Sequence, residues 1–304
     1  MPAYKKITIA GASGSIGSII LRGLLATGDF SITVLSRKDS AASFPDGVAV
    51  RKTDFSESEL DAIFKGQEFV ISALGATGFG EQKKLIDAAL RSGVHRFIPS
   101  EFSASSQDEA VVQLLPLFGA KKEVIEYLKA SESAGLAWTG IATGLLFDWG
   151  LLNGFLGFDI PNRSATVWDA GEASFTLTNE SQLANAVIAV LRHPEETRNK
   201  FLHVASVQTT QSQILAALEA QTGEKWTVHK TTTEQELSES RKKLAVGDFS
   251  GALGLVRATS FGKVPGLHAD YVKSGLVAND LLGLKQESVE ETVSQLLTEQ
   301  EILK

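Results

Sequence analysis

Three stretches of the sequence carry residue types that chemistry needs. The first is GASGSIG, Gly11 to Gly17, between the β-prone run Lys6–Ala10 and the apolar residues Ile16, Ile19, Ile20 and Leu24 at helical spacing. A glycine turn that closes a strand and opens a helix aims backbone N–H groups at a phosphate. In that setting Gly11 permits the tight turn, Gly14 lets a pyrophosphate approach the backbone, and Gly17 lets the helix pack against a sheet. Ser13 and Ser15 add hydroxyl donors, and Ile16 belongs to the same helix mouth. The spacing predicts a dinucleotide site; a bare strand-to-helix turn is the alternative.

The second stretch, Ser36-Arg37-Lys38, ends the next strand-like run. Folds that bind NAD usually carry Asp or Glu at that point, to accept from the ribose hydroxyls. Here two cations follow a serine. They would pair with a 2′-phosphate, the arginine through its planar fork, and NADP(H) is the expected cofactor. A solvated basic turn is the alternative.

The third is GAKKEVIEYLKAS. Val124, Ile125 and Leu128 follow Lys121 at three, four and seven positions and share its helix face, while Lys122, Glu126 and Lys129 form the wet face. An ammonium on the apolar side is desolvated, its pKa moves toward neutrality, and it can then donate or take a proton near pH 7. Lys121 is therefore the catalytic candidate; a stem that only snorkels to water is the alternative. The Tyr-x-x-x-Lys pair of classical short-chain dehydrogenases is absent, because none of Tyr4, Tyr127 and Tyr271 has Lys four positions later. Strand ends contribute Ser72, Leu74-Gly75, Ser100, Glu101 and Thr143, where open α/β sheets bind ligands. Gly75 would allow close passage of a nicotinamide, and Glu101 reads equally as a structural acceptor or an acid. The aromatic residues after the sheet, among them Phe102, Phe147, Trp149 and Trp168, are expected to divide between core and substrate pocket. The five histidines show no metal-ligand spacing, and no Gly-x-Ser-x-Gly elbow occurs.

The elements that must position these groups alternate. Strands are expected at 6–10, 31–35, 48–51, 69–72, 96–98 and 136–142, with helices at 57–64, 82–91 and 120–134 between them. This rhythm predicts an α/β fold with a doubly wound parallel sheet and right-handed crossovers. It divides the chain into an NADP-binding Rossmann domain over 1–150, with 180–206 returning to the sheet, and a smaller, mostly helical substrate region over 151–304. There, a helix at 181–192 and a strand at 201–205 precede helices at 212–222, 234–244 and 289–303.

The totals set outer bounds. A chain of 304 residues can bury a sizeable core. A net charge of −7 argues against a nucleic-acid partner. No run is apolar enough to span a membrane or act as a secretory signal, and the absence of cysteine excludes disulfides and thiolate catalysis. A cytoplasmic protein, monomer or homodimer, acting on a small molecule is the expectation.

In order along the chain, these motifs resemble the NmrA-like, isoflavone-reductase-like family of atypical short-chain dehydrogenases. GASGSIG resembles its glycine loop, Ser36-Arg37-Lys38 its 2′-phosphate clamp, GVHRFIPSEFS (93–103) its most recognisable segment, and Lys121 with Val124 and Leu128 the surroundings of its active-site lysine. FTLTNESQLANAVIAVLRHPEETRNKFLHVAS is similar to the family's return to the sheet. The resemblance implies NADPH-dependent reduction of phenylpropanoid or related aromatic metabolites, in secondary metabolism. Phe102 would then lie near the nicotinamide, with Lys121 as general acid or as a holder of substrate and ribose. Thr143-Gly144 stands where plant members carry Asn, and in this the chain is closer to fungal members. Some relatives bind NADP and regulate other proteins without turning it over, so a sensor remains open, as does a non-redox isomerase or cyclase.

Overall fold

The computed structural model describes residues 4–299. Its centre is a sheet of seven parallel strands. Six come from the first half: β1 (Lys6–Ala10), β2 (Ser31–Arg37), β3 (Val48–Thr53), β4 (Phe69–Ser72), β5 (Arg96–Ile98) and β6 (Ala137–Ala142). The strands β4, β5 and β6 are buried at every residue, as expected of strands covered on both faces. Around them run α1 (Ser15–Thr27), α2 (Glu57–Phe64), α3 (Gln82–Arg91), the short α4 (Glu109–Leu114) and α5 (Leu117–Ala130).

The second half begins with β7 (Leu145–Leu146), α6 (Phe147–Leu152), β8 (Phe158–Asp159), β9 (Ser164–Trp168) and β10 (Phe175–Thr178). Then α7 (Glu180–Arg192) leads into β11 (Lys200–His203), the seventh strand, which lies parallel to β6. The strands β12 (Val207–Thr209) and β13 (Thr227–Thr231) complete two small sheets, β12-β10-β7 and β13-β9-β8. The remaining helices are α8 (Gln211–Thr222), α9 (Thr233–Ala245), α10 (Ser250–Phe261), α11 (Asn279–Leu282) and α12 (Val289–Glu299). The end of the helix expected over 289–303 lies outside the described residues.

The main sheet runs β3-β2-β1-β4-β5-β6-β11. Strand order reverses at β1, where Ile9 faces Val34 on one side and Ile71 on the other. A crevice opens at the carboxyl ends of strands that diverge in this way. One face of the sheet is sealed by α1 and α7 through Ile20, Leu24, Leu183 and Val187; the other by α2, α3 and α5 through Leu60, Leu85, Ile125 and Leu128. A third core, around Phe147, Phe158, Trp168, Phe175 and Phe261, holds the second half together. No helix among the described residues is long and apolar enough to cross a membrane.

Candidate active site

The crevice beside β1 is a cavity of about 450 Å³, lined by Gly11, Ser13, Ser36, Arg37, Leu74 and Gly75 with Thr77 and Gly78 along its rim. Gly11 holds a left-handed φ of 84°, and a Cβ there would stand 2.5 Å from the Ala73 carbonyl oxygen. At Gly17 a Cβ would come within 2.1 Å of the Gly11 carbonyl oxygen. Both glycines are therefore required by the chain itself, which folds the loop tightly between β1, β4 and α1. Gly14 is different: its Cβ would meet nothing closer than 3.4 Å, and the residue is exposed. The start of α1 has no side-chain cap and no acidic residue in its first turn, so its field toward the crevice is undiluted. Ser13 and Ser15 are exposed and Ile16 is half-buried at this mouth.

The two cations after β2 separate. Arg37 lines the crevice, its side chain is 74% exposed, and its nearest carboxylate, Asp39, lies 3.9 Å away. Lys38 is held by Asp54, itself a lining residue of the crevice, at 2.7 Å and by Glu59. Of the two expected clamp cations, Arg37 reaches the crevice without a close carboxylate, whereas Lys38 is engaged by Asp54, after β3, and by Glu59 of α2. Its pKa is raised by these hydrogen bonds, and those of Asp54 and Glu59 are lowered.

Lys121 is 5% exposed on the inner face of α5. Its ammonium donates to the Glu101 carbonyl oxygen and to Ser103 Oγ, both at 2.7 Å. The ring centroids of Phe118 and Phe79 lie 4.6 and 5.2 Å from Nζ. An ammonium has three donors, so one N–H is left after these two bonds. Burial pushes the Lys121 pKa down to about 8, against an opposing pull from Glu101. The Glu101 carboxyl, 1% exposed, is pushed up to about 7 by the same desolvation, opposed by Lys121 and Ser106. The loop carrying Glu101 and Ser103 is clamped over the end of β6, where the Thr143 and Gly144 amides both donate to the Ser103 carbonyl. Ser100 ties the ends of β4 and β5 together, its hydroxyl donating to Leu74 O at 2.6 Å and its amide to Gln82 Oε1 at 2.8 Å.

The expected pocket aromatics fall elsewhere. Phe147 is 0% and Trp168 3% exposed; both sit in the third core, Trp168 edge-on to Phe261. They are corrected from pocket to core, because the small sheets and α10 close over that apolar face. Phe102 is buried against the α1 side of the sheet. Trp149 packs at a tilt against Phe155 and lines a separate cavity of about 370 Å³ between α6, α7 and α12, which shares no residue with the crevice. The aromatic groups that do meet Lys121 went unnoticed in the sequence. Phe118 sits three positions before Lys121, a helical spacing hidden by starting the helix at 120 instead of 117. Phe79 lies on a 3₁₀ turn, Ala76–Glu81, whose ATGFGE sequence reads as a bare loop. Ser103 carried no signal beyond its place after Glu101.

With the geometry in view, similar proteins can be placed beside this one. An oxidoreductase of Aspergillus flavus, aprR, is 34% identical over 295 residues, covering 96% of this chain and 98% of its own. The oxidoreductase poxI of Penicillium oxalicum is 31% identical, over 97% of this chain and 95% of its own. Among solved structures, AtPrR2 with NADP+ and (+)pinoresinol superposes with a TM-score of 0.78 at 19% identity, covering 97% of this chain and 100% of that one. An isoflavone reductase crystal structure gives 0.78 at 21%, covering 96% and 99%. At such identities the structures speak to the fold, a seven-stranded Rossmann-like architecture. The NmrA-like family model matches residues 3–244, and with these relatives along nearly its whole length the chain belongs to that family.

Proposed function

We propose that this protein is an NADPH-dependent reductase of a small aromatic or polyketide-like molecule, with Lys121 as proton donor or relay. The observation that carries the reading is a buried ammonium with one uncommitted N–H, on α5, the helix that leads into β6 of the doubly wound sheet. The fungal relatives named as oxidoreductases, and solved relatives holding NADP+ or NADPH, support it.

The crevice fits the cofactor: the glycine turn leaves room at Gly14, the open mouth of α1 favours a pyrophosphate, and Arg37 is available to a 2′-phosphate. When bound, NADPH supplies a hydride to an unsaturated or carbonyl carbon. Leu74 and Gly75, in the crevice wall that Ser100 keeps in place, would hold its nicotinamide half. Lys121 then hydrogen-bonds the substrate oxygen or the atom that gains negative charge, and delivers the proton. Phe79 and Phe118 exclude water from that exchange and favour an aromatic or conjugated substrate. Because the donor must be an ammonium, turnover is full below pH 8 and falls as the pH rises through about 8.

The test is NADPH absorbance decay against aromatic ketones, enones and benzylic ethers. Lys121→Met should lower kcat by roughly 10²–10⁴-fold, the scale of general acid–base catalysis, while NADPH affinity stays within several-fold. Full turnover by the variant would remove Lys121 from the mechanism. Tight NADPH binding with no oxidation by any compound would favour a regulatory sensor or a non-redox enzyme.

A further inference from the structure

The buried carboxyl of Glu101 has no part in the mechanism above. One of its oxygens, Oε2, is enclosed and has no hydrogen-bond partner. A carboxylate left so is costly and calls for a compensating reason. The Lys121 ammonium has the complementary deficit. Its two hydrogen bonds go to neutral acceptors, and its other neighbours are the rings of Phe79 and Phe118. Because Nζ bonds the backbone carbonyl of Glu101, the same residue that positions the lysine also brings a carboxyl into its enclosure.

The other titratable groups around this enclosure cannot serve. The Tyr271 phenol is buried and its pKa is raised by desolvation, so it is neutral. His203, against the Tyr271 ring at 4.7 Å and with Nε2 3.2 Å from Ser105 Oγ, is held neutral by burial, its pKa down to about 4. Asp108 is occupied in capping α4, through the Ala110 amide at 2.9 Å, and in accepting from the backbone amide of His268, whose ring also lies beside it. Glu101 is the buried acid left to balance the lysine.

We propose that Glu101 is a positioning residue for this site, whose enclosed carboxylate keeps Lys121 in its ammonium form while the Glu101 backbone carbonyl and Ser103 aim it. The proposal rests on the reading of Lys121 as proton donor. Its electrostatic content is independent of turnover: removing the charge, while keeping the shape, makes the lysine give up its proton at lower pH.

Glu101→Gln tests this. The ¹³Cε resonance of Lys121, assigned by its loss in Lys121→Met, is followed against pH in wild type and variant. The titration midpoint should drop by roughly one to three pH units in Glu101→Gln, the range for loss of a nearby opposite charge. In the NADPH assay, the alkaline limb of kcat should move down by the same amount, with KM for NADPH unchanged and activity regained toward pH 6. Glu101→Asp, which keeps the charge one methylene further back, should fall between the two and serves if the glutamine variant does not fold. An unmoved Lys121 midpoint in a folded variant, or a kcat lowered equally at every pH, would overturn the proposal and leave the reductase reading intact. A moved midpoint without turnover on any substrate would instead sink the reductase reading and keep the electrostatic pairing.

Discussion

At Arg37 and Lys38, two adjacent cations have opposite fates, and the difference can be measured. Arg37 projects into the crevice with only a distant Asp39 beside it, whereas Lys38 closes a three-membered network with Asp54 and Glu59. Charge-assisted bonds from a guanidinium to a phosphate are worth about 1.5–3 kcal/mol. Arg37→Ala should therefore weaken NADPH binding by roughly 10- to 100-fold and leave NADH nearly unaffected. Lys38→Ala removes only an exposed pair and should change NADPH affinity by less than about threefold. Calorimetric titration of both nucleotides into both variants decides it. Equal losses from the two substitutions would restore the two-cation clamp that the sequence suggests. The identity of these two adjacent residues is legible from sequence, but which of them stays free for a ligand depends on the turn that follows β2 and on the carboxylates that the end of β3 and α2 bring beside it. Asp54, just after β3, and Glu59, in the first turn of α2, together decide for Lys38.

Among elements, the return of the chain to the sheet depends on a buried cation. Arg96 opens β5 and is fully enclosed, without a carboxylate partner among the described residues. Its guanidinium donates to Thr139 Oγ1 at 2.9 Å, to Thr197 Oγ1 at 3.3 Å and to the Pro194 carbonyl oxygen, while Nε has no partner. These bonds join β5 and β6 to the turn between α7 and β11, and so hold the seventh strand in place. Arg96→Ala would leave a cavity and several unpaired acceptors, and should cost about 2–4 kcal/mol in denaturant-induced unfolding. Hydrogen exchange should quicken first at Lys200–His203; a uniform change across the sheet would argue against the staple. The elements themselves were unevenly legible. The limits of β1, β4, β5, α2 and α3 can be read directly, because short apolar runs bounded by turn residues leave few alternatives. By contrast, α10 is hidden, since Gly251 and Gly254 make SGALGLVRATSF look like a loop. In the fold those glycines admit α9: a Cβ at Gly251 would lie 2.3 Å from Ser240 O, and one at Gly254 2.1 Å from Ser240 Oγ. A contact between two helices has no signature in either sequence alone. The same holds for Phe147 and Trp168, whose apolar character announces burial without saying whether in core or in cleft.

On the scale of the whole molecule, α5 carries the site's chemistry and also bridges its parts. Phe118 is part of the third core, while Val124, Ile125 and Leu128 pack under the sheet, and Lys121 lies between them. Cofactor binding at the crevice should therefore stabilise more than the sheet that forms the crevice. A ligand that binds only the native state stabilises by about 2.7 kcal/mol at a hundredfold excess over its Kd. In a protein of 304 residues that corresponds to a rise in Tm of roughly 4 °C. Thermal scans with saturating NADPH should show one cooperative transition moved upward as a unit. NADH at the same concentration should produce a smaller shift, and Arg37→Ala should lose most of the difference between the two nucleotides. Phe118→Ala, which opens the third core next to Lys121, should lower the Tm of the free protein without changing the increment due to NADPH, because it leaves the crevice intact. If the scan instead splits into two steps and NADPH moves only one, α5 does not couple the sheet to the third core, and substrate binding by the second half would have to be organised independently of the cofactor.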